Sequence, residues 1–368
     1  MHASVLQRFL PAHRPVLALA PMQDVTDLRF WNVLAHYGSP DVLYTEYFRV
    51  HPDSHPEKPI LADIDANATG RPVIAQMIGR DIPSLVRTAA VLQRHPIVAV
   101  DLNLGCPAPV VCRKDAGGGL LRDLPHIDAI LRALRGAIGA PCGDGSGAAI
   151  GFTVKTRIGY DSAADFPRLL DIFASHQLDA LTVHGRSVRE MYGPVVHYDL
   201  IGAAARRMQA PGAGTPVLAN GNVRCTTTAQ AITADTGVRG LMIGRGAIRN
   251  PWIFRQIREH YELPAGAPRF RPTMADVRGY IDVLARETRR EGTSERAHLG
   301  HLKKLLNYIA PGLGGDDAFV RNLRKASTLA ELFAACDAYL LAPERADADA
   351  YATEPNWAAS LNATQAAY

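Results

Sequence analysis

Val16-Leu17-Ala18-Leu19-Ala20-Pro21-Met22-Gln23-Asp24 is the stretch on which the fold turns. Five apolar residues in succession describe a strand covered on both faces, and the four residues after them decide which parallel architecture the strand opens. A doubly wound nucleotide-binding sheet would carry G-x-G-x-x-G at this point, and the chain has Pro-Met-Gln-Asp instead. Seven more short apolar runs succeed it, at 42–44, 73–78, 98–102, 152–155, 180–183, 217–219 and 240–243, each trailed by a turn and a helical pattern. Eight such units predict an α/β fold of the (β/α)8 TIM-barrel type, with the doubly wound sheet as the alternative.

After residue 270 the strand signals stop and helical periodicity takes over, at 274–290, 298–309 and 329–341. The segment 262–272, with Pro264, Gly266, Pro268 and Pro272, reads as a linker. The expected division is a barrel over 1–260, a smaller helical domain over 261–345 and a flexible tail over 346–368, loosely attached from Pro343 onward. Residues 51–71 and the Gly-rich insertion 141–147 read as loops.

Composition narrows the class. The chain has 368 residues, 47% hydrophobic, enough for a sizeable core. Its five cysteines are odd in number and form no C-x-x-C pair, which argues against a disulfide framework and a standard zinc site. No signal-peptide pattern and no bilayer-length apolar run is present, so a cytoplasmic protein without a membrane or metal partner is expected. The net charge of +4 excludes a uniformly basic coat but hides a segregation. Residues 255–325 carry fourteen Lys and Arg against nine Asp and Glu, whereas 326–368 carry one against six. A basic helical domain suits a polyanion such as RNA, and a surface laced with ion pairs such as Glu287 with Arg290 is the plainer explanation.

In a TIM barrel the reactive residues gather at the C-terminal ends of the strands. The polar outliers of this sequence fall there: Pro21, Met22 and Gln23 after the first run, Gln76 in the third, Asn103 to Pro107 after the fourth. Lys155 and Arg157 come at the fifth, His184 and Arg186 at the sixth, Asn220-Gly221-Asn222 at the seventh and Gly244-Arg245-Gly246 at the eighth. The last two Gly-containing turns suit an anion, because backbone N–H groups can approach it closely there and Arg245 adds charge. Lys155, ending an apolar strand, needs an anionic or polar partner. That partner is either a flavin ring, electron-rich at N1 and O2 when reduced, or a carboxylate such as Asp101 or Glu46. Cys106, between Gly105 and Pro107, is displayed on a rigid turn as a nucleophile or general acid. Residues 113–121, with three successive glycines, are expected to form a mobile loop that closes over a substrate.

Together, Ala20-Pro21-Met22 with Val25-Thr26-Asp27, Asp101-Leu102-Asn103 with Gly105-Cys106-Pro107, Val154-Lys155 with Arg157, Val183-His184-Gly185-Arg186, Asn220-Gly221 and Ile243-Gly244-Arg245-Gly246 with Asn250-Pro251-Trp252 resemble the tRNA-dihydrouridine synthases. The resemblance implies an FMN-bearing barrel, a helical tRNA-binding domain, and reduction of the 5,6 double bond of a tRNA uridine with NADPH as hydride source. It implies Pro21, Met22, Gln23, Gln76, Lys155, His184, Asn220, Gly221, Asn222, Gly244 and Arg245 as FMN contacts and Cys106 as the proton donor. Asn222 stands where an acidic residue is common in the family.

Leu43-Tyr44-Thr45-Glu46-Tyr47-Phe48-Arg49-Val50 is similar to the bacterial C-type, which acts on uridine 16 of the D-loop, with Arg49 as its RNA-contacting arginine. Asn103, Arg157, Arg186, Lys303, Lys304 and Arg321 are the further substrate and tRNA contacts expected, in a monomer. The alternative function is an FMN-dependent barrel reductase acting on a small enone or pyrimidine, for which a basic helical domain has no evident use.

Overall fold

The computed structural model describes residues 9–139, 149–210, 214–313 and 317–351; the insertion at 141–147 and the tail from 352 lie outside them. All eight expected strands form: β1 (Val16–Leu19), β2 (Leu43–Tyr44), β4 (Val73–Gly79), β5 (Ala99–Leu104), β6 (Gly151–Arg157), β7 (Ala180–His184), β8 (Val217–Asn220) and β9 (Gly240–Ile243). A further strand, β3 (Phe48–Val50), pairs with the outer half of β4. Every ladder is parallel, in the order β1-β9-β8-β7-β6-β5-β4-β2. A bridge between Ala18 and Val42 joins β2 back to β1 and closes the ring.

The alternation of side chains explains why the runs are apolar throughout. Leu17, Leu19, Ala75, Met77, Val100, Leu102, Phe152 and Val154 face outward and share one continuous buried cluster with the surrounding helices. Val16, Ala18, Ala20, Tyr44, Ile74, Leu218 and Met242 face inward and form a second, enclosed cluster. Both faces of each strand are therefore dry, which is the reason for unbroken hydrophobicity in a parallel barrel. Gly79 is required at the β3 join, since a Cβ there would meet the Val50 carbonyl oxygen at 2.6 Å.

The last helices span Met274–Glu287, Glu295–Ile309, Asp317–Lys325 and Leu329–Leu340. Three begin on expected chemistry: Thr273, Ser294 and Thr328 each accept from a backbone N–H of the first turn, and Thr273 forms a capping box with Asp276. The helix over 317–325 was not anticipated from the sequence. An aromatic group of Tyr37, Trp252 and Tyr280 docks this helical part on the barrel, with ring centroids 4.9 to 6.0 Å apart and the Tyr280 hydroxyl donating to Ile248 O at 2.7 Å.

The chain after Pro343 departs from expectation. Residues 346–350 run beside the start of the helix Met274–Glu287, where Met274 N donates to Ala348 O at 3.1 Å and Ala350 N to Pro272 O at 2.9 Å. Tyr351 then donates its hydroxyl to Arg249 O at 2.6 Å. An Ala- and Asp-rich composition suggests loose chain, but most of these contacts are made by the backbone, which composition does not report, and one by the Tyr351 hydroxyl.

Candidate functional site

A cavity of about 630 Å³, within the range usual for small-molecule sites, opens at the C-terminal ends of the strands. Strand register sets its floor: Asn103 lies beside Lys155, and Arg157, His184 and Asn220 form one layer across β6, β7 and β8. The walls are Pro21, Met22 and Gln23 after β1 with Gly244 and Arg245 after the adjacent β9, Gly221 and Asn222 after β8, and Cys106 after β5. From the helical part, Lys304 and Tyr308 complete the rim.

Positive charge dominates this space. Burial, with Arg157 nearby, pulls the Lys155 ammonium down to about 8, an effect that Asp101 opposes. Burial also lowers His184 well below the usual imidazole range, helped by Arg157, Lys155, Arg186 and Arg245, so its ring is neutral at pH 7. Arg186 Nη1 sits 3.1 Å from His184 Nε2, and a guanidinium only donates. Nε2 therefore accepts, which leaves the ring proton on Nδ1.

Arg157 and Arg186 are both about 1% exposed. Arg157 donates to Gly105 O at 2.8 Å, Ser187 O at 2.9 Å and Met191 O at 2.7 Å, and lies 5.5 Å from the Tyr192 ring. Arg186 reaches Asn222 Oδ1 at 3.2 Å and Pro194 O at 3.4 Å, while its Nε is buried without a partner among the described residues. Carbonyls, an amide and an imidazole orient these guanidiniums without neutralising them. Buried charge in that state is costly and calls for an anion from outside. Burial, reinforced by Arg245, brings Arg186 down to about 10.

The loop carrying Cys106 is pinned by hydrogen bonds, as expected of a rigid turn. Asn103 Oδ1 accepts from Gly105 N and Cys106 N, both at 2.9 Å, and Cys106 O accepts from Gly118 N at 3.0 Å. The closing loop expected over 113–121 is instead largely a 3-10 turn, Gly117–Arg122, that comes after a helical turn at Pro109–Cys112. Its three glycines are buried because the packing has no room for side chains: a Cβ on Gly118 would lie 2.6 Å from Val188 and one on Gly119 2.7 Å from Cys112 O. Close approach, not flexibility, is their use.

Of the residues singled out from the sequence, Pro21, Met22, Gln23, Asn103, Cys106, Lys155, Arg157, His184, Asn220, Gly221, Asn222, Gly244, Arg245 and Lys304 all line the cavity. Gln76 does not; it lies beneath the floor, bonded to Asp101 and Asn103. Arg186 stands behind His184. Arg49 is exposed on β3, 5.4 Å from the Tyr47 ring and paired with Glu57 at 3.7 Å. Lys303 turns away and donates to Arg324 O at 2.8 Å and to Ala326 O, closing the C-terminal end of the helix Asp317–Lys325. Arg321 is exposed on that helix. Glu46 is not the partner of Lys155: it accepts from Gln23 Nε2 at 2.9 Å and Val25 N at 3.1 Å, and burial beside Asp24 raises it to about 7.

Sequence reasoning missed Tyr192, Arg224 and Tyr308, all on the cavity wall. Tyr308 comes one helical turn after Lys304 and so shares its face, a signal that was available. Tyr192 lies in a turn eight residues past His184, and no spacing rule reaches it. Among the described residues no His, Cys, Asp and Glu cluster could hold a metal, and no helix is long and apolar enough to cross a membrane.

Comparison with known proteins agrees with this arrangement. The chain is 34% identical over 246 residues to tRNA-dihydrouridine synthase B of Pseudomonas putida, covering 67% of this chain and 68% of that protein. It is 30% identical over 250 residues to a probable tRNA-dihydrouridine synthase of Staphylococcus aureus strain COL, covering 67% and 73%. Among solved structures, a 2-naphthoyl-CoA reductase complex shares the fold at a TM-score of 0.50 with 11% identity, over 66% of this chain and 50% of that one. The family model for dihydrouridine synthase matches residues 18–342, so the chain belongs to the dihydrouridine synthase family.

Proposed function

We propose that the protein reduces a uridine of the tRNA D-loop to 5,6-dihydrouridine, with FMN held in the cavity, NADPH as reductant and Cys106 as the proton donor. The observation that carries this reading is the convergence of Cys106, the buried cations and two residues of the helical part on one cavity. The residues present fit a flavin mononucleotide. Arg245 with the Gly221 and Gly244 turns suits a phosphate, Arg186 behind His184 adds positive charge to that side, and Lys155 suits the electron-rich N1 and O2 edge of the ring. Gln23 Oε1, buried and unpaired among the described residues, suits a ring N–H.

When bound, the flavin supplies hydride to C6 of the uracil. Negative charge then develops over C4 and C5, and Cys106 gives its thiol proton to C5. The thiolate left behind lies within electrostatic reach of Lys155 and Arg157, which stabilise it until water returns the proton. Arg157 is fixed by Gly105 O, so its charge stays beside the reacting sulfur. The uridine must leave its stack to reach this depth, and the rings of Tyr192 and Tyr308 at the rim are surfaces on which a displaced base can rest.

Lys304, Arg321 and Arg49 are the proposed backbone contacts, and uridine 16 is the proposed target on the strength of the Leu43-to-Val50 stretch. Purified protein supplied with FMN and NADPH is expected to form dihydrouridine on unmodified tRNA; efficient reduction of a free enone with none on tRNA would instead support a small-molecule reductase. Mapping dihydrouridine in tRNA from a deletion strain identifies the position.

A further inference from the structure

Beneath the cavity floor lies Asp101, fully buried inside the barrel, and a chain of side-chain hydrogen bonds runs from it to the Cys106 loop. Asp101 Oδ1 accepts from Thr153 Oγ1 at 2.6 Å and Oδ2 from Gln76 Nε2 at 2.7 Å. Gln76 Oε1 accepts from Asn103 Nδ2 at 2.8 Å. Asn103 Oδ1, the remaining end of that amide, accepts from the backbone N–H groups of Gly105 and Cys106. Register makes the line continuous, because Gln76 and Thr153 flank Asp101 on the neighbouring strands β4 and β6.

The order of donors and acceptors in this line is forced. An ionised carboxylate only accepts, so Gln76 must turn its NH2 toward Asp101 and its oxygen toward Asn103. Asn103 must then turn its NH2 toward Gln76 and its oxygen toward the loop. Reversing Gln76 would set its oxygen against the carboxylate and its NH2 against that of Asn103, and reversing Asn103 would set donor against donor at Gly105 and Cys106; either is an unsatisfied buried arrangement that costs more than one bond is worth.

We propose that Asp101 is a positioning residue for the Cys106 loop: its carboxylate, acting through Gln76, locks the Asn103 amide in the orientation that the Gly105 and Cys106 N–H donors require. The same carboxylate lies within electrostatic reach of Lys155 and favours its charged form. Asp101 touches neither the cavity nor a reacting atom, and its effect is felt only through these residues. The functional consequence rests on the reading of Cys106 as proton donor, whereas the structural one does not.

The test moves the negative charge one link along the line. Asp101→Asn keeps the shape but no longer dictates which end Gln76 presents. Gln76→Glu sets two carboxylates against each other. The double variant Asp101→Asn with Gln76→Glu restores a forced order, the relocated carboxylate accepting from the amides on both sides. In flavin-loaded protein, hydrogen–deuterium exchange at Gly105 and Cys106 is expected to quicken about 10-fold in each single variant, the loss of roughly one hydrogen bond, and to return to within about 3-fold of wild type in the double.

The turnover number for dihydrouridine formation should show the same pattern, falling about 10- to 100-fold with KM for tRNA unchanged and recovering in the double. Thr153→Val, which removes a donor without altering the order, serves as the control and should leave loop exchange unchanged. Unchanged exchange in Asp101→Asn overturns the proposal, and so does a double variant no better than the worse single one. If Cys106→Ala turns over like wild type, the proton-donor reading fails while the exchange result still decides the positioning role.

Discussion

The basic helical part and the basic cavity look alike in a charge count and differ in what their cations face. On the helical part, Arg278 pairs with Asp282 and Asp337, Arg286 with Glu287, Arg271 with Asp349, and Arg290 reaches across to Asp27 on the barrel at 3.3 Å. The Glu287–Arg290 pair expected from the sequence is replaced by these. At the cavity, Arg157 in the lining and Arg186 behind His184 are buried and oriented by hydrogen bonds to neutral groups. An excess of about five charges in the first region is thus largely engaged within the protein, and exposed pairs of that kind contribute little individually. In the second, the guanidiniums of Arg157 and Arg186 bond to carbonyls, an amide and an imidazole instead. Regional net charge pointed to the right kind of partner for an incomplete reason.

This contrast can be broken most strongly at the Cys106 thiol. Cys106→Ala should keep flavin absorbance and slow dihydrouridine formation by at least about 100-fold, the scale of a lost general acid; loss of flavin instead would make Cys106 structural. Next in size, Arg186→Met should weaken FMN binding by about 10-fold, measured by fluorescence titration, because the positive charge behind His184 and the bonds that orient His184 and Asn222 are lost. Thermal stability of the flavin-free protein should not fall, since a buried cation without a counterion is removed. A marked loss of melting temperature would show that Arg186 is held for the fold alone.

A third test uses pH. Lys155 moves from 10.5 in the unfolded chain to about 8 in the fold. Its stabilising contribution is therefore present above 10.5 and lost as pH falls through about 8, where a charged ammonium is forced into the barrel. An electron-rich group bound against it reverses that penalty. FMN binding at about pH 8 should take up roughly half a proton, read by calorimetry in buffers of different ionisation enthalpy, and the uptake should vanish in Lys155→Met. The smallest effects separate two adjacent lysines. Lys304→Ala should weaken tRNA binding and reduce its salt slope by about one, whereas Lys303→Ala should leave affinity alone and cost about 1 kcal/mol of stability as a lost helix cap. The reverse assignment would mean that Lys303 leaves its carbonyl partners when RNA arrives.

The barrel was legible because burial on both faces writes itself into each strand as uninterrupted hydrophobicity. β3 was not, because Phe48-Arg49-Val50 is too short and alternates, its arginine lying outward. At the site, residues displayed at strand ends were legible by position alone. Arg186 was visible as a cation but not as a buried one, since burial depends on the loop that returns over it through Pro194. The three glycines at 117–119 illustrate the opposite error: a local signal for freedom arose from a demand for tight packing that only the fold reveals. Lys303 and Lys304 are adjacent in sequence, and helical rotation alone sends one to a neighbouring helix and the other to the cavity.

The pairing of Val16 with Gly240 has a consequence during synthesis. β1 leaves the ribosome well ahead of its full-length partner β9, which lies more than 200 residues behind it. At about 5 to 20 residues per second, that strand waits roughly 10 to 45 s with an apolar, hydrogen-bonding edge exposed. The nascent barrel is thus most adhesive at its oldest strand, and the last strand made removes the hazard.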